Sequence, residues 1–453
     1  MMRTKGREVL VVALALAIGF GLRAWFITHG PRVTGDSLVY GDIAKNWLRH
    51  GVYGFTRGLG ARPTLLRLPG YPIFLTACFA VFGVDHYGAP MFVQAVADLW
   101  TCLLVAGIAR RLYGERAWWL ALWLGVLCPF TANYTGAALT ETLSLLCIAA
   151  AFYAVLRWRD AGLGMNRWVV GAGAAMAYAV LLRPEQGLLA AAVVPAMAWM
   201  AWRGKGRLAA VAATALLIVL PLGPWAVRNW ITFHVLQPLA PRNATDPGEL
   251  IPVGFQKWYR TWGLDFITTD SVYWHYDTDP ILMKDLPDRA FDTAQQRKTT
   301  AQLLDEYNQT TTATAAFDMR FKAIADERVK ASPLRYYVEM PLGRLTNMLF
   351  RPRTELMNVP LDWWKWGRWA WISVGLGIIN LLYFGLAGWG IGKAGIGGAA
   401  GWGMLAFCVL RCALLATIDN SEPRYTLELF PLIFVWASGV LAYSANGSRR
   451  PRS

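Results

Sequence analysis

The sequence predicts an all-α protein that crosses a membrane repeatedly, with about ten or more transmembrane helices and a mixed loop domain on the outer face. Three observations predict this class. Apolar residues make up 55% of the 453-residue chain and charged residues only 16%, against roughly 25% charged in globular domains, and mean hydropathy is +0.33. Apolar runs of about membrane-crossing length recur along the chain. Basic residues gather at alternate ends of those runs, the asymmetry of cytoplasmic loops. A disordered, collagen-like or disulfide-stapled protein is excluded by the same values, and a cytosolic enzyme is disfavoured.

The elements follow in order. Arg3, Lys5 and Arg7 precede an apolar run from Val9 to Thr28. That run is longer than a signal-peptide h-region and no small-x-small cleavage site follows, so it reads as an uncleaved first span with a cytoplasmic N-terminus. Further runs lie at about 88–109, 117–131, 134–156, 168–182, 187–202, 208–227, 369–392, 400–418 and 426–444. Ten spans place Arg110/Arg111/Arg116, Arg157/Arg159/Arg167, Arg203/Lys205/Arg207, Lys393 and Arg449/Arg450/Arg452 on the cytoplasmic side. The 14-residue run Tyr71–Val84 would break that parity if it crossed, and is expected to be re-entrant or interfacial. The expected organisation is an N-terminal membrane module, 1–227, whose first outer loop spans 29–70; an outer loop domain, 228–368, with an amphipathic stretch at Arg289–Lys330; and C-terminal membrane helices, 369–453.

Charge and cysteine usage narrow the partners. Residues 228–368 hold 18 basic and 17 acidic residues, which leaves almost all of the net charge of +15 to the short clusters between apolar runs. Membrane orientation accounts for such clusters better than nucleic-acid binding does. Cys78, Cys102, Cys128, Cys147, Cys408 and Cys412 all lie in apolar stretches without CxxC spacing, so they read as small buried hydrophobes. The five His show no metal-ligand spacing, and His275 among aromatics is an expected bystander. No Gly-x-Ser-x-Gly elbow is present.

Ionisable residues near apolar runs are costly and therefore candidates for chemistry. On the expected outer face the first loop carries Asp36, Tyr40, Asp42, Arg57, Arg62 and Arg67, followed by Tyr71. Asp36 could equally cap a helix beginning just after it, with Tyr40 one turn along on the same side. Asp42 also reads as a solvated surface acid. Glu141 opens an apolar run and needs a cavity or a basic partner. Arg183-Pro184-Glu185 interrupts a long apolar stretch, as a local ion pair or as part of a site. Asp419, Glu422, Arg424 and Tyr425 mark the last outer turn, with the same two readings. Asp98 and Arg411, deeper in their spans, could pair, a structural role. Arginines and carboxylates converging from turns remote in sequence suit group transfer from a phosphate-activated donor: arginine forks hold phosphate oxygens and a carboxylate can take a proton from an attacking hydroxyl.

These residues resemble a known family. Asp36-Ser-Leu-Val-Tyr40, Ala44, Gly51-Val-Tyr53-Gly54, Arg67-Leu-Pro69-Gly70-Tyr71-Pro72 and Phe82-Gly83, continued by Thr140-Glu141-Thr142, Arg183-Pro184-Glu185 and Arg424-Tyr425, are similar to GT-C glycosyltransferases. That family includes protein O-mannosyltransferases and the lipid A aminoarabinose transferase. The resemblance implies an inverting transfer of a sugar from a polyprenyl-phosphate donor to an acceptor hydroxyl at the periplasmic or external face of the plasma membrane. Asp36 would match the family's general base, Glu141 its second acid, and Arg67 the basic residue associated with the donor phosphate. Asp42 is a third catalytic candidate; Tyr40, Arg62, Tyr71, Arg183, Glu185, Arg424 and Tyr425 are substrate-binding candidates. Leu68 departs from the family's first Pro, and without a metal-binding His the need for a divalent metal stays open. The acceptor could be a glycan, a lipid or a protein, including lipopolysaccharide. A lipid-linked-sugar flippase and an O-antigen ligase or polymerase are the alternatives; the first would show repeat symmetry and the second an outer Arg/His signature, and neither is visible.

Overall fold

The computed structural model describes residues 2–30, 32–33, 35–241, 245–246 and 248–442. Arg449, Arg450 and Arg452 lie outside the described residues, as do the side chains of Arg3 and Lys5. The described residues are mostly helical, and the chain divides into two compact units. The first comprises Met1–Ala244, Leu381–Leu410 and Leu427–Ser453; the second comprises Thr245–Asn380 and Arg411–Thr426.

Seven helices among the described residues are apolar and long enough to span a bilayer: Gly6–His29, Gly88–Tyr113, Glu141–Asp160, Leu208–Phe233, Ala370–Ala394, Gly398–Thr417 and Pro423–Leu441. The remaining expected spans are shorter, and local chemistry explains why. The run at 117–131 ends as α5 (Glu115–Val126) after 12 residues, because Pro129 bars a continuing helix and Cys128 turns extended ahead of it. The next run is interrupted after the short helix Pro129–Tyr134 and resumes as a helix at Glu141. Residues 168–182 and 187–202 form helices Arg167–Leu182 and Gly187–Arg203 of 16 and 17 residues, about 24–26 Å at 1.5 Å per residue. The run at Tyr71–Val84 forms α3 (Gly70–Phe82), whose 13 residues reach only about 20 Å, too short to cross straight.

In the first unit, α4 (Gly88–Tyr113) packs against α1 (Met2–His29), α5, α7 (Glu141–Asp160) and α19 (Phe430–Ser438). Every residue of α19 is buried. By contrast only 28% of the apolar window of α1 is buried within the chain, leaving a face for lipid. A buried ion pair ties α1 to α4: Arg23 and Asp98 lie 2.5 Å apart, both out of solvent, and Arg23 also donates to the carbonyls of Gly19 and Val126. The expected Asp98–Arg411 pair is therefore wrong. Arg23 sits across from Asp98 and takes both charges out of the bilayer's cost, while Arg411 donates to the Tyr425 carbonyl.

The segment 35–70 is organised by its own sequence. Helix α2 (Asp36–His50) ends at Gly51, whose left-handed backbone (φ 67°) closes the last turn onto the Trp47 carbonyl. Strands β1 (Gly54–Arg57) and β2 (Gly60–Pro63) pair antiparallel, Phe55 facing Arg62. Gly70 then passes the backbone of α8 (Arg167–Leu182) so closely that a Cβ there would lie 2.5 Å from the Leu181 carbonyl carbon. Only glycine fits that crossing.

The second unit has an aromatic core. Helices α12 (Val253–Arg260) and α15 (Ala315–Ala331) pack together, burying Phe255, Trp258, Tyr259, Trp262, Tyr307 and Phe321. The stretch Arg289–Lys330 divides into α14 (Ala294–Tyr307) and α15, which turn Leu303, Leu304, Phe321 and Ile324 inward. Buried Arg328 donates to the Arg289 and Ala290 carbonyls and to Thr261 Oγ1. Burial pulls its guanidinium down to about 10.

Candidate active site

The site is built in the first unit where α2, α3, α7 and α8 come together. Asp36 is the first residue of α2. It does not cap the helix; Gly35 holds the cap position without a side-chain bond, and Asp36 Oδ1 instead accepts from Arg67 Nη2 at 2.8 Å. The helix N-terminus favours a carboxylate there independently. One turn on, Tyr40 is buried edge-on against Tyr71, with ring centroids 5.0 Å apart, and the Arg67 guanidinium lies 5.7 Å from its ring centroid. Tyr71 forms the floor, donating to Gln94 Oε1 at 2.7 Å.

A second cluster faces the first. Pro184 forces Arg183 out of helical backbone and ends α8, which turns its side chain toward the start of α7. Arg183 donates to Glu141 Oε1 at 3.1 Å and to Glu185 Oε1 at 2.6 Å, and lies 3.8 Å from Glu428. Glu141 and Glu428 are almost completely buried, and the guanidinium offsets part of the cost of placing them inside the helix bundle. The two clusters are within electrostatic reach. Burial foremost, then Asp36 and Glu141, push the Tyr40 hydroxyl up to about 12, while Arg67 and Arg183 pull it down. Tyr40 thus stays a neutral donor among two arginines and two carboxylates.

The structure brings Asp36, Tyr40, Arg67, Tyr71, Glu141, Arg183 and Glu185 together. It does not bring Asp42 to that group: its carboxylate accepts from the Thr56 amide and hydroxyl at 2.8 and 2.7 Å and anchors the hairpin. Arg62 is exposed on β2. Arg424 and Tyr425 belong to the second unit. There Arg424 pairs with Glu422, which also accepts from the Tyr425 hydroxyl at 2.9 Å, while Asp419 meets Arg260 at 3.2 Å. Two residues were missed in the sequence. Glu428 was read only as part of the last apolar run, though a carboxylate inside such a run is itself a signal. Arg228 was read as the edge of a loop; it clamps the segment 35–70 by donating to the Thr64 and Tyr53 carbonyls at 2.7 and 2.8 Å. A divalent metal does not fit the donor set. The Arg183 guanidinium already bridges the three carboxylates, and no group of three or more His, Cys, Asp or Glu suited to an ion gathers among the described residues.

Comparison with known proteins agrees with this architecture. Residues 62–225, which carry Arg67, Glu141 and Arg183, match the family model described as dolichyl-phosphate-mannose-protein mannosyltransferase. No curated protein matches the chain. The oligosaccharyltransferase AglB of Archaeoglobus fulgidus, solved with an inhibitory peptide and a dolichol-phosphate, shares the fold at a TM-score of 0.51 and 12% identity over 99% of this chain. A second structure of an Archaeoglobus fulgidus oligosaccharyltransferase, tethered to an acceptor peptide, aligns over 95% of this chain at a TM-score of 0.52 and 12% identity. The chain spans about half the length of these two proteins, 53% and 49%. ArnT of Cupriavidus metallidurans aligns over 92% of this chain and 78% of its own, at 16% identity and a TM-score of 0.39. The fold is thus shared with these oligosaccharyltransferases, and the family match covers residues 62–225 of this chain.

Proposed function

We propose that the chain transfers a sugar, with inversion, from a polyprenyl-phosphate donor to an acceptor hydroxyl at the external face of the plasma membrane. The observation that carries this reading is the pairing of Asp36 with Arg67 beside the Arg183–Glu141 cluster, around the neutral Tyr40. The donor phosphate takes Arg67 and Arg183 as its cations, since guanidinium forks match phosphate oxygens. In taking Arg67 it draws that arginine away from Asp36, whose carboxylate accepts the acceptor's proton. The acceptor oxygen attacks the anomeric carbon from the face opposite the phosphate. The bond from that carbon to the phosphate oxygen breaks, and polyprenyl phosphate leaves with its charge held by the arginines. Tyr40 donates from below. Glu141, Glu185 and Glu428 hold Arg183 in place.

The test is a transfer assay with purified protein in nanodiscs and a panel of polyprenyl-phosphate sugars, offered with glycan, lipid and peptide acceptors. Acceptor-dependent release of polyprenyl phosphate, with the product's anomeric configuration inverted, is expected. Sugar lipid moving across the bilayer with its glycosyl bond intact would replace this reading with a flippase.

A further inference from the structure

At the other end of α7, a groove of about 500 Å³ opens between α4, α5 and α7. Arg157 on its wall is 16 residues beyond Glu141, about 24 Å along the helix, so the groove is separate from the carboxylate–arginine cluster. Its lining is divided. Trp100, Leu103 and Leu104 form an apolar wall part-way up α4, and Trp100 is 58% exposed. Arg110, Arg111 and Arg157 line the helix ends, with Asp160 the one acid among the lining residues.

The cations are unevenly matched. Arg110 pairs with Glu115 at 2.6 Å and Arg111 with Asp160 at 3.0 Å, and Asp160 is shared with Arg159 at 3.1 Å. Arg157 has no carboxylate partner among the described residues. It lies 4.6 Å over the Trp168 ring and donates to Tyr153 Oη at 3.3 Å. A positive-inside bias explains why arginines stand at these helix ends. It does not explain their convergence on one groove whose upper wall is aromatic and aliphatic.

We propose that this groove binds the headgroup of an anionic membrane phospholipid, with the phosphate on Arg157 and Arg111 and the acyl chains along Trp100, Leu103 and Leu104. The excess of positive charge selects against a zwitterionic headgroup, whose ammonium it repels, and basic pockets between spans are suited to anionic headgroups. The apolar wall gives the ligand's other end a place that free phosphate could not use.

The experiment is native mass spectrometry and thermal unfolding of the full-length protein in detergent, titrated with phosphatidylglycerol, phosphatidylcholine or inorganic phosphate. Phosphatidylglycerol is expected to bind and to raise the melting temperature, with phosphatidylcholine at least about fivefold weaker, and Arg157→Gln is expected to weaken phosphatidylglycerol about fivefold, as one juxtamembrane cation does. Arg157→Lys, which keeps the charge, should recover most of that loss. Equal binding of the two lipids, or unchanged phosphatidylglycerol affinity in a folded Arg157→Gln, overturns the proposal. A shift by inorganic phosphate as large as that by phosphatidylglycerol would assign a free anion and overturn the lipid.

Discussion

Replacing Asp36 with Asn separates a catalytic base from a structural carboxylate, because the two roles differ in size. The side chain is 31% exposed and pairs with Arg67. A partly exposed pair of this kind is worth about 0.2–1 kcal/mol, and an acid at a helix N-terminus about 0.3–1 kcal/mol. Together these two contributions come to no more than about 2 kcal/mol. Loss of a general base costs about 10²–10⁴ in rate, equivalent to about 2.7–5.4 kcal/mol of barrier. Asparagine keeps the shape and can still hydrogen-bond, so donor affinity should hold while turnover falls. The assay is release of polyprenyl phosphate by the purified variant in nanodiscs, alongside its melting temperature. Turnover within tenfold of wild type in a folded protein would refute the assignment of Asp36 as base. A turnover loss matched by an equal loss of folded protein would show that Asp36 is structural.

Three further outcomes follow from the same structure. Arg67→Ala should raise the KM for the donor much more than that for the acceptor in steady-state assays, and Arg67→Lys should recover only part of the loss because a point charge cannot make the fork. Asp98→Asn, which leaves Arg23 buried without its anion, should cost about 3–5 kcal/mol in reversible unfolding, whereas joint replacement of Arg23 and Asp98 by apolar residues should cost far less. In the second unit the two hydrogen bonds from Arg335 hold the Asp292 carboxyl below its usual range. A depressed folded value gives stability that is present above the unfolded carboxyl's pKa and lost as pH falls through the folded one. Melting measured below about pH 4 should therefore fall more steeply for wild type than for Asp292→Asn.

How much of this was readable in advance differs between residues. Asp36, Arg67, Glu141 and Arg183 stood out because a charge beside an apolar run is expensive and needs a reason. Arg183 also carried its own geometry: the following proline dictates that the helix ends there and that the side chain leaves the helix axis. Asp42 was a further catalytic candidate beside Asp36, both being acids in one loop. Only the hairpin fourteen residues on, with the Thr56 amide and hydroxyl in reach, gives Asp42 a separate task.

The sequence by itself determined that this chain lives among lipids, that most of its apolar runs are helical and that Pro184 interrupts one of them. Those properties follow from local hydropathy and backbone sterics, which act within a few residues. Which charges meet was decided only by the tertiary structure. Asp98 found Arg23 rather than Arg411, Arg228 reached back to Tyr53 and Thr64, and Glu428 came to Arg183 across more than two hundred residues of chain. The cost of burying a charge obliges it to find a partner but does not say which, and helix packing makes that choice.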